Sequence, residues 1–147
     1  MYDLNNVAHD FPWTAVPNQG SPVEPWRNPG SNWFDELPEG WGDVIHAYLL
    51  QLDMLVRRNR WNIYVAQVKE KFGTLRFYVD ILDAEGLPCY ANSAEDVKRF
   101  YELVHEMESE TGRVCCHCGT REDVRCYGGW IHYACPSCEE RVRDEIA

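Results

Sequence analysis

Basic residues are scarce in this chain. Its 147 residues hold 14 lysines and arginines against 24 aspartates and glutamates, a formal charge of −10. That balance argues against non-specific binding to DNA, which depends on neutralising phosphates. No apolar run approaches the roughly 20 residues a membrane-spanning helix needs, so no membrane association is expected. The first residues, Met1-Tyr2-Asp3-Leu4, have neither the basic start nor the apolar stretch of a secretory signal. HExxH, Walker, GxSxG and paired-carboxylate signatures are all missing, so no catalytic residue is assigned. Internal repeats are missing too, and beyond residue 40 proline occurs only at Pro88 and Pro136.

Cysteine is what the chain does have, and seven cysteines without a signal point to a reducing compartment where thiols bind metal. A cytoplasmic location is expected. Cys115-x-x-Cys118 and Cys135-x-x-Cys138 are separated by sixteen residues. Paired CxxC units at this spacing are the sequence form of a four-thiolate zinc site. Gly119 follows Cys118, where a tight metal knuckle wants a residue without Cβ. Between the pairs, Val124–Tyr127, Gly128-Gly129 and Trp130–Tyr133 read as a hairpin with a two-residue Gly-Gly turn. Residues 113–139 therefore read as a zinc ribbon holding one ion. Four sulfurs leave no position open for water, so that ion is expected to be structural. His117, Cys126 and His132 are the substitute ligands, and Cys89 reads as an ordinary thiol.

An apolar content of 45% and an aromatic content of 13% describe a globular chain. Six of the eight prolines fall in residues 1–40, interleaved with Trp13, Trp26 and Trp33. Such density excludes long helices and central strands. The segment reads as an extended arm that packs its aromatics on its own domain or docks them on a partner. Residues 41–58 carry Val44, Ile45, Tyr48, Leu49, Leu52, Leu55 and Val56 at helical spacing, with Asp43 as the N-cap. Ile63–Val68 and Leu75–Ile81 read as a hairpin turning at Lys71-Phe72-Gly73-Thr74. Residues 93–111 read as a second helix, with Ser93 and Asp96 as a capping box and Gly112 as its C-cap. A short last helix is expected from Glu139 to Ile146. The expected fold is α+β: a small antiparallel sheet packed by two helices, with a C-terminal zinc ribbon. Its parts are a Pro/Trp-rich arm (1–40), an α+β core (41–112) and the ribbon with its short helix (113–147).

Residues 57–76 hold six bases, Arg57, Arg58, Arg60, Lys69, Lys71 and Arg76, against the single acid Glu70. Strand alternation places Gln67, Lys69 and Lys71 on one hairpin face, and Arg76 opposite Leu75 and Phe77. That set suits phosphate or carboxylate recognition. It could equally pair with the glutamates of the second helix. Gln67-Val68-Lys69 also resembles, loosely, the (D/E/Q)-x-K strand of metal-dependent nucleases, which would need an upstream acid such as Asp53.

Residues 67–78, QVKEKFGTLRFY, are the most distinctive stretch. Together with Gly40-Trp41, Ser109, Cys115, Cys118-Gly119, Gly129-Trp130, Cys135 and Cys138, they resemble a family of small bacteriophage and prophage proteins. The resemblance covers roughly residues 40–138 and implies action inside a bacterial host. The expectation is a zinc-binding accessory protein that meets a host protein, such as a defence or transcription factor. Gln67, Lys69, Lys71, Arg76, Trp13, Trp26 and Trp33 are its candidate contact residues. Nucleic-acid binding through the basic stretch, extended by Arg121 and Arg125, is the alternative, and a metal-dependent nuclease the remote one.

Overall fold

The computed structural model describes residues 1–83, 85–87 and 94–146. Among the described residues, four α-helices and two separate two-stranded antiparallel sheets make an α+β fold, as expected. Cys89 and Ser93, and with them the capping-box expectation, lie outside the described residues.

Proline limits the first forty residues to 3-10 turns at Leu4–Asn6, Pro12–Thr14 and Glu39–Trp41 and one short helix, α1 (Val7–Asp10). The segment is nonetheless fixed in place. Val7, Phe11, Val16, Trp33, Phe34 and Trp41 are at most 3% exposed and share one apolar cluster with the helices and hairpin that follow. Burial of each large side chain stabilises by about 1.5–3 kcal/mol. Arg27 orders the loop between them. Its guanidinium lies 5.0 Å from the Trp33 ring and reaches Glu24 (2.7 Å), Asp35 (3.2 Å) and Glu36 (3.2 Å).

Helix α2 (Gly42–Asn59) buries Val44, Ile45, Leu49, Leu52, Leu55 and Val56, the helical stripe seen in the sequence. Asp43 is not its N-cap. Trp41 holds that position without a side-chain bond, while Asp43 accepts the Tyr2 backbone N–H at 2.8 Å. The helix ends at Arg60, which is left-handed (φ 53°). The Arg60 and Trp61 N–H groups return to Arg57 and Val56 carbonyls in the pattern of a Schellman cap.

Strands β1 (Asn62–Lys71) and β2 (Thr74–Leu82) form the expected hairpin. Phe72 (φ 54°) and Gly73 (φ 84°) make the turn, both in the left-handed region that a type I′ turn needs. Glu70 accepts the Gly73 N–H at 2.7 Å and closes it. A bulge at Ala66 shifts the register between Val65 and Gln67. It explains why Val65 and Val68, three apart, are both buried: the inward parity changes from odd to even residues there.

Helix α3 (Ala94–Thr111) packs Phe100, Leu103, Val104 and Met107 inward. It also covers the outer edge of β2. The Leu75 N–H donates to Thr111 Oγ1 (2.9 Å), the Phe77 N–H to Glu108 (2.9 Å), and Tyr101 donates to the Val79 carbonyl (3.2 Å). Side chains thus satisfy backbone groups that an open strand edge would leave unpaired. Gly112 has no positive φ and packs against Thr74 and Tyr133.

The C-terminal region is a knuckle, a hairpin and a helix. Strands β3 (Arg125–Tyr127) and β4 (His132–Ala134) pair antiparallel. Their connection spans residues 128–131, with positive φ at Gly129 alone, so Trp130 and Ile131 lie in the loop and the two-residue turn is not formed. Helix α4 begins at Pro136, earlier than expected, and runs to Ile146. Proline suits that first position, whose N–H has no helical partner.

Candidate metal centre

Each cysteine pair is positioned by a different local device. In the first, the backbone turns so that the Gly119 N–H reaches the Cys115 carbonyl (2.9 Å), with Gly119 at φ 79°. In the second, Cys135 precedes α4 and Cys138 lies in its first turn, where the helix dipole favours negative sulfur. The hairpin between them returns Tyr133 to the knuckle, its carbonyl accepting the Cys116 N–H at 2.9 Å.

The Sγ atoms of Cys115, Cys118, Cys135 and Cys138 all lie within 4.8 Å of one another. Cys118 and Cys135 approach to 3.9 Å, and the described cysteines are all free of disulfides. A disulfide would bring its sulfurs to about 2.05 Å. A tetrahedron with metal–sulfur bonds of about 2.3 Å has its sulfurs about 3.8 Å apart. The cluster therefore has the size of a tetrahedral four-sulfur site, and the four residues could hold a metal ion. Its electrostatics agree. Burial raises the Cys115 thiol, but backbone N–H groups of Cys118, Cys135 and His117 outweigh it and bring it down to about 7. Burial and then the adjoining sulfurs push Cys138 up to about 12. Four thiols this close cannot all ionise alone, and a divalent cation removes that conflict.

The expected substitute ligands are engaged elsewhere or apart. Cys126 is exposed and outside the cluster. His132 Nδ1 meets the Trp130 carbonyl at 2.8 Å and Nε2 meets Glu139 at 2.6 Å, so both ring nitrogens face acceptors. Burial disfavours the His132 cation, but Glu139 and the Trp130 carbonyl outweigh it and raise the imidazole above its ordinary value. Its ring stacks on Trp130 (4.6 Å) and Tyr127 (5.4 Å), and Arg143 caps Tyr127 at 5.7 Å. This stack ties the hairpin to α4 beside the sulfurs.

Two glycines lock the knuckle and hairpin turn into the fold. The Gly40 N–H donates to the Cys116 carbonyl at 2.9 Å, and a Cβ on Gly40 would lie 2.1 Å from the Cys115 carbonyl oxygen. A Cβ on Gly73 would lie 2.8 Å from the Tyr133 ring.

The other candidate residues separate into two sets. Gln67, Lys69, Lys71 and Arg76 do share the outward hairpin face, with Lys69 paired across from Arg76. Gln67 donates to Glu24 (3.2 Å), Lys69 lies 5.9 Å from the Tyr78 ring, and Lys71 lies 5.5 Å from Phe72. Arg76 donates to Thr74 (2.6 Å) and the Leu75 carbonyl (3.1 Å). Among the described residues, no carboxylate pairs with Lys69, Lys71 or Arg76; the acids of α3 turn instead to the β2 edge, to Arg99 of the helix itself, and to Arg58, Arg113 and Arg121 outside it. Arg57 and Arg58, by contrast, are paired with Asp53 (2.8 Å) and Asp96 (2.8 Å). Asp53 also accepts the Trp13 indole N–H at 3.0 Å, so both of its oxygens are engaged. Of the three tryptophans, Trp33 is buried, Trp13 is half-buried, and Trp26 is 74% exposed.

Sequence reasoning missed Glu139, Arg143 and the two edge-capping residues Thr111 and Glu108. Thr111 and Glu108 act on β2 residues more than thirty positions away, while Glu139, itself bonded to Arg143 within α4, joins that helix to His132 of the preceding strand, which no periodicity within either element announces. Comparison of the chain with family models, curated proteins and solved structures finds no match. Among the described residues no helix is long and apolar enough to cross a membrane.

Proposed function

We propose that the protein is a zinc-braced protein-interaction module, acting on a host protein in the bacterial cytoplasm as the likeness to small phage proteins implies. The closed four-sulfur cluster carries this reading. Zinc held by Cys115, Cys118, Cys135 and Cys138 keeps no open coordination position, so it acts as a brace and does not bind substrate. Large aromatics stand exposed outside the core, Trp26 (74%), Phe72 (63%) and Trp130 (62%), and Trp130 is held beside the metal module by its stack on His132. Aromatics held rigidly in this way are the usual anchors of protein interfaces.

The overall charge of −10 favours a basic protein as the partner. Internal pairing of Arg57 and Arg58 removes two of the six charges from the nucleic-acid alternative. The test is affinity capture from bacterial lysate with the full chain. Deletion of residues 1–38 is unsuitable, because they contribute to the core. Metal analysis on the same material should give one zinc per chain. Less than half an equivalent from a fresh, reduced sample would count against the brace. Failure to retain any protein above a charge-matched control would count against the module.

A further inference from the structure

A groove of about 390 Å³ runs between the segment at Glu36–Glu39, the end of β1 and the metal module. Glu70, His117, Trp130 and Arg141 complete its walls. Beneath it a void of about 10 Å³ is bordered by Trp41 and His132. We propose that this groove receives an arginine-bearing segment of a basic partner protein, with the guanidinium over Trp130 and its N–H groups donating to Glu39 and Glu70. The inference rests on the reading of the chain as a protein-interaction module and assigns that module its contact site.

Four observations carry it. First, the platform is prepared in advance. Trp130 is 62% exposed, yet its ring is stacked 4.6 Å from His132, which is itself pinned by Glu139 and the Trp130 carbonyl. A ring already held in place loses little freedom on binding. Second, the wall chemistry is acidic where it is unspent. Glu39 makes no ion pair among the described residues, and Glu70 uses Oε1 on the Gly73 N–H. Arg141, the basic residue on the wall, is matched by Glu145 at 3.8 Å.

Third, two buried nitrogens at this place have no partner: His117 Nε2 on the wall and Trp41 Nε1 at the floor, the latter on a side chain 1% exposed. Buried polar atoms are ordinarily paired; the Trp41 indole N–H can only donate, as can a guanidinium, so the acceptor it lacks would be a backbone carbonyl of the bound segment and not the arginine head. Fourth, the chain already holds an arginine by the same means. Arg27 lies over the Trp33 indole with Glu24, Asp35 and Glu36 around it. Indole face plus carboxylates is a combination that suits guanidinium better than ammonium, through planarity and bidentate bonding.

The probe is a fluorescein-labelled peptide of alternating arginine and glycine, titrated by anisotropy against the full zinc-loaded chain at physiological salt. Trp130→Ala leaves the net charge unchanged and should weaken binding at least tenfold, while Trp130→Phe keeps an aromatic face and should stay within threefold of wild type. Glu39→Gln should weaken binding at least threefold. Glu95→Gln, which removes the same charge from the first turn of α3, should leave it unchanged. Zinc content and circular dichroism establish that each variant is folded. Equal binding by Trp130→Ala and wild type, equal losses in Glu39→Gln and Glu95→Gln, or preference for a single-stranded oligonucleotide over the peptide would overturn the assignment. If lysate capture succeeds and survives Trp130→Ala, the module reading stands and the groove assignment falls.

Discussion

Replacing Gly40 by alanine tests the central joint of this structure. The added Cβ would lie 2.1 Å from the Cys115 carbonyl oxygen and 2.6 Å and 2.7 Å from the Cys116 carbonyl carbon and oxygen. Ordinary contact begins at 3.4 Å, so the backbones must separate by about 1.3 Å, the difference between 3.4 and 2.1. Neither side has a flexible end that can yield, since every clashing atom is main chain. Overpacking of this kind costs about 1–3 kcal/mol. Separation also lengthens the Gly40 N–H bond to the Cys116 carbonyl, now 2.9 Å, whose loss costs about 1 kcal/mol more. A combined loss of about 2–4 kcal/mol corresponds to a fall in Tm of roughly 5–15 °C for a chain of this length. Gly128→Ala is the control, because nothing lies within 4 Å of a Cβ there and its φ is not positive. Scanning calorimetry with zinc analysis on both variants gives the answer. If Gly40→Ala melts together with Gly128→Ala and keeps its full metal, the proposed joint between the first forty residues and the knuckle is wrong.

Three further outcomes are expected. A strong chelator should release one equivalent of zinc, unfold the β3–β4 hairpin and lower Tm, because metal affinity in such modules is folding free energy; superimposable melts with and without chelator would refute this. Arg60→Gly should stabilise by up to about 1 kcal/mol in urea unfolding, since a left-handed cap at φ 53° suits glycine. Thr111→Val should cost about 1–3 kcal/mol and speed hydrogen exchange at the Leu75 amide, whose buried partner it removes, whereas unchanged protection would show that the edge is satisfied otherwise.

Local signals were read well where neighbours in sequence decide the geometry. The helical stripe of α2, the hairpin around Phe72-Gly73 and the four sulfurs all depend on spacing within one element or across a single short hairpin. Asp43 misled because a helix start preceded by a 3-10 turn needs no side-chain cap, and its carboxylate was drawn to Tyr2. Gly128-Gly129 misled because β3 and β4 pair over only three residues and leave a wider loop. The bulge at Ala66 was legible in the change of apolar parity from Val65 to Val68, but only to a reader who expected both to be buried. No local pattern could show that Trp33 belongs to the core while Trp26 faces solvent, because both stand in equally proline-rich surroundings.

The contact between Gly40 and the knuckle also orders events during synthesis. A ribosome releases residue 40 long before it has made Cys116, so the first forty residues of the nascent chain wait without that support. The four-sulfur cluster is complete only with Cys138, made later still. If the four sulfurs take up zinc as proposed, metal loading and final locking of the first forty residues are late and joint steps, and a cell short of that metal would accumulate fully translated chains open at both regions at once.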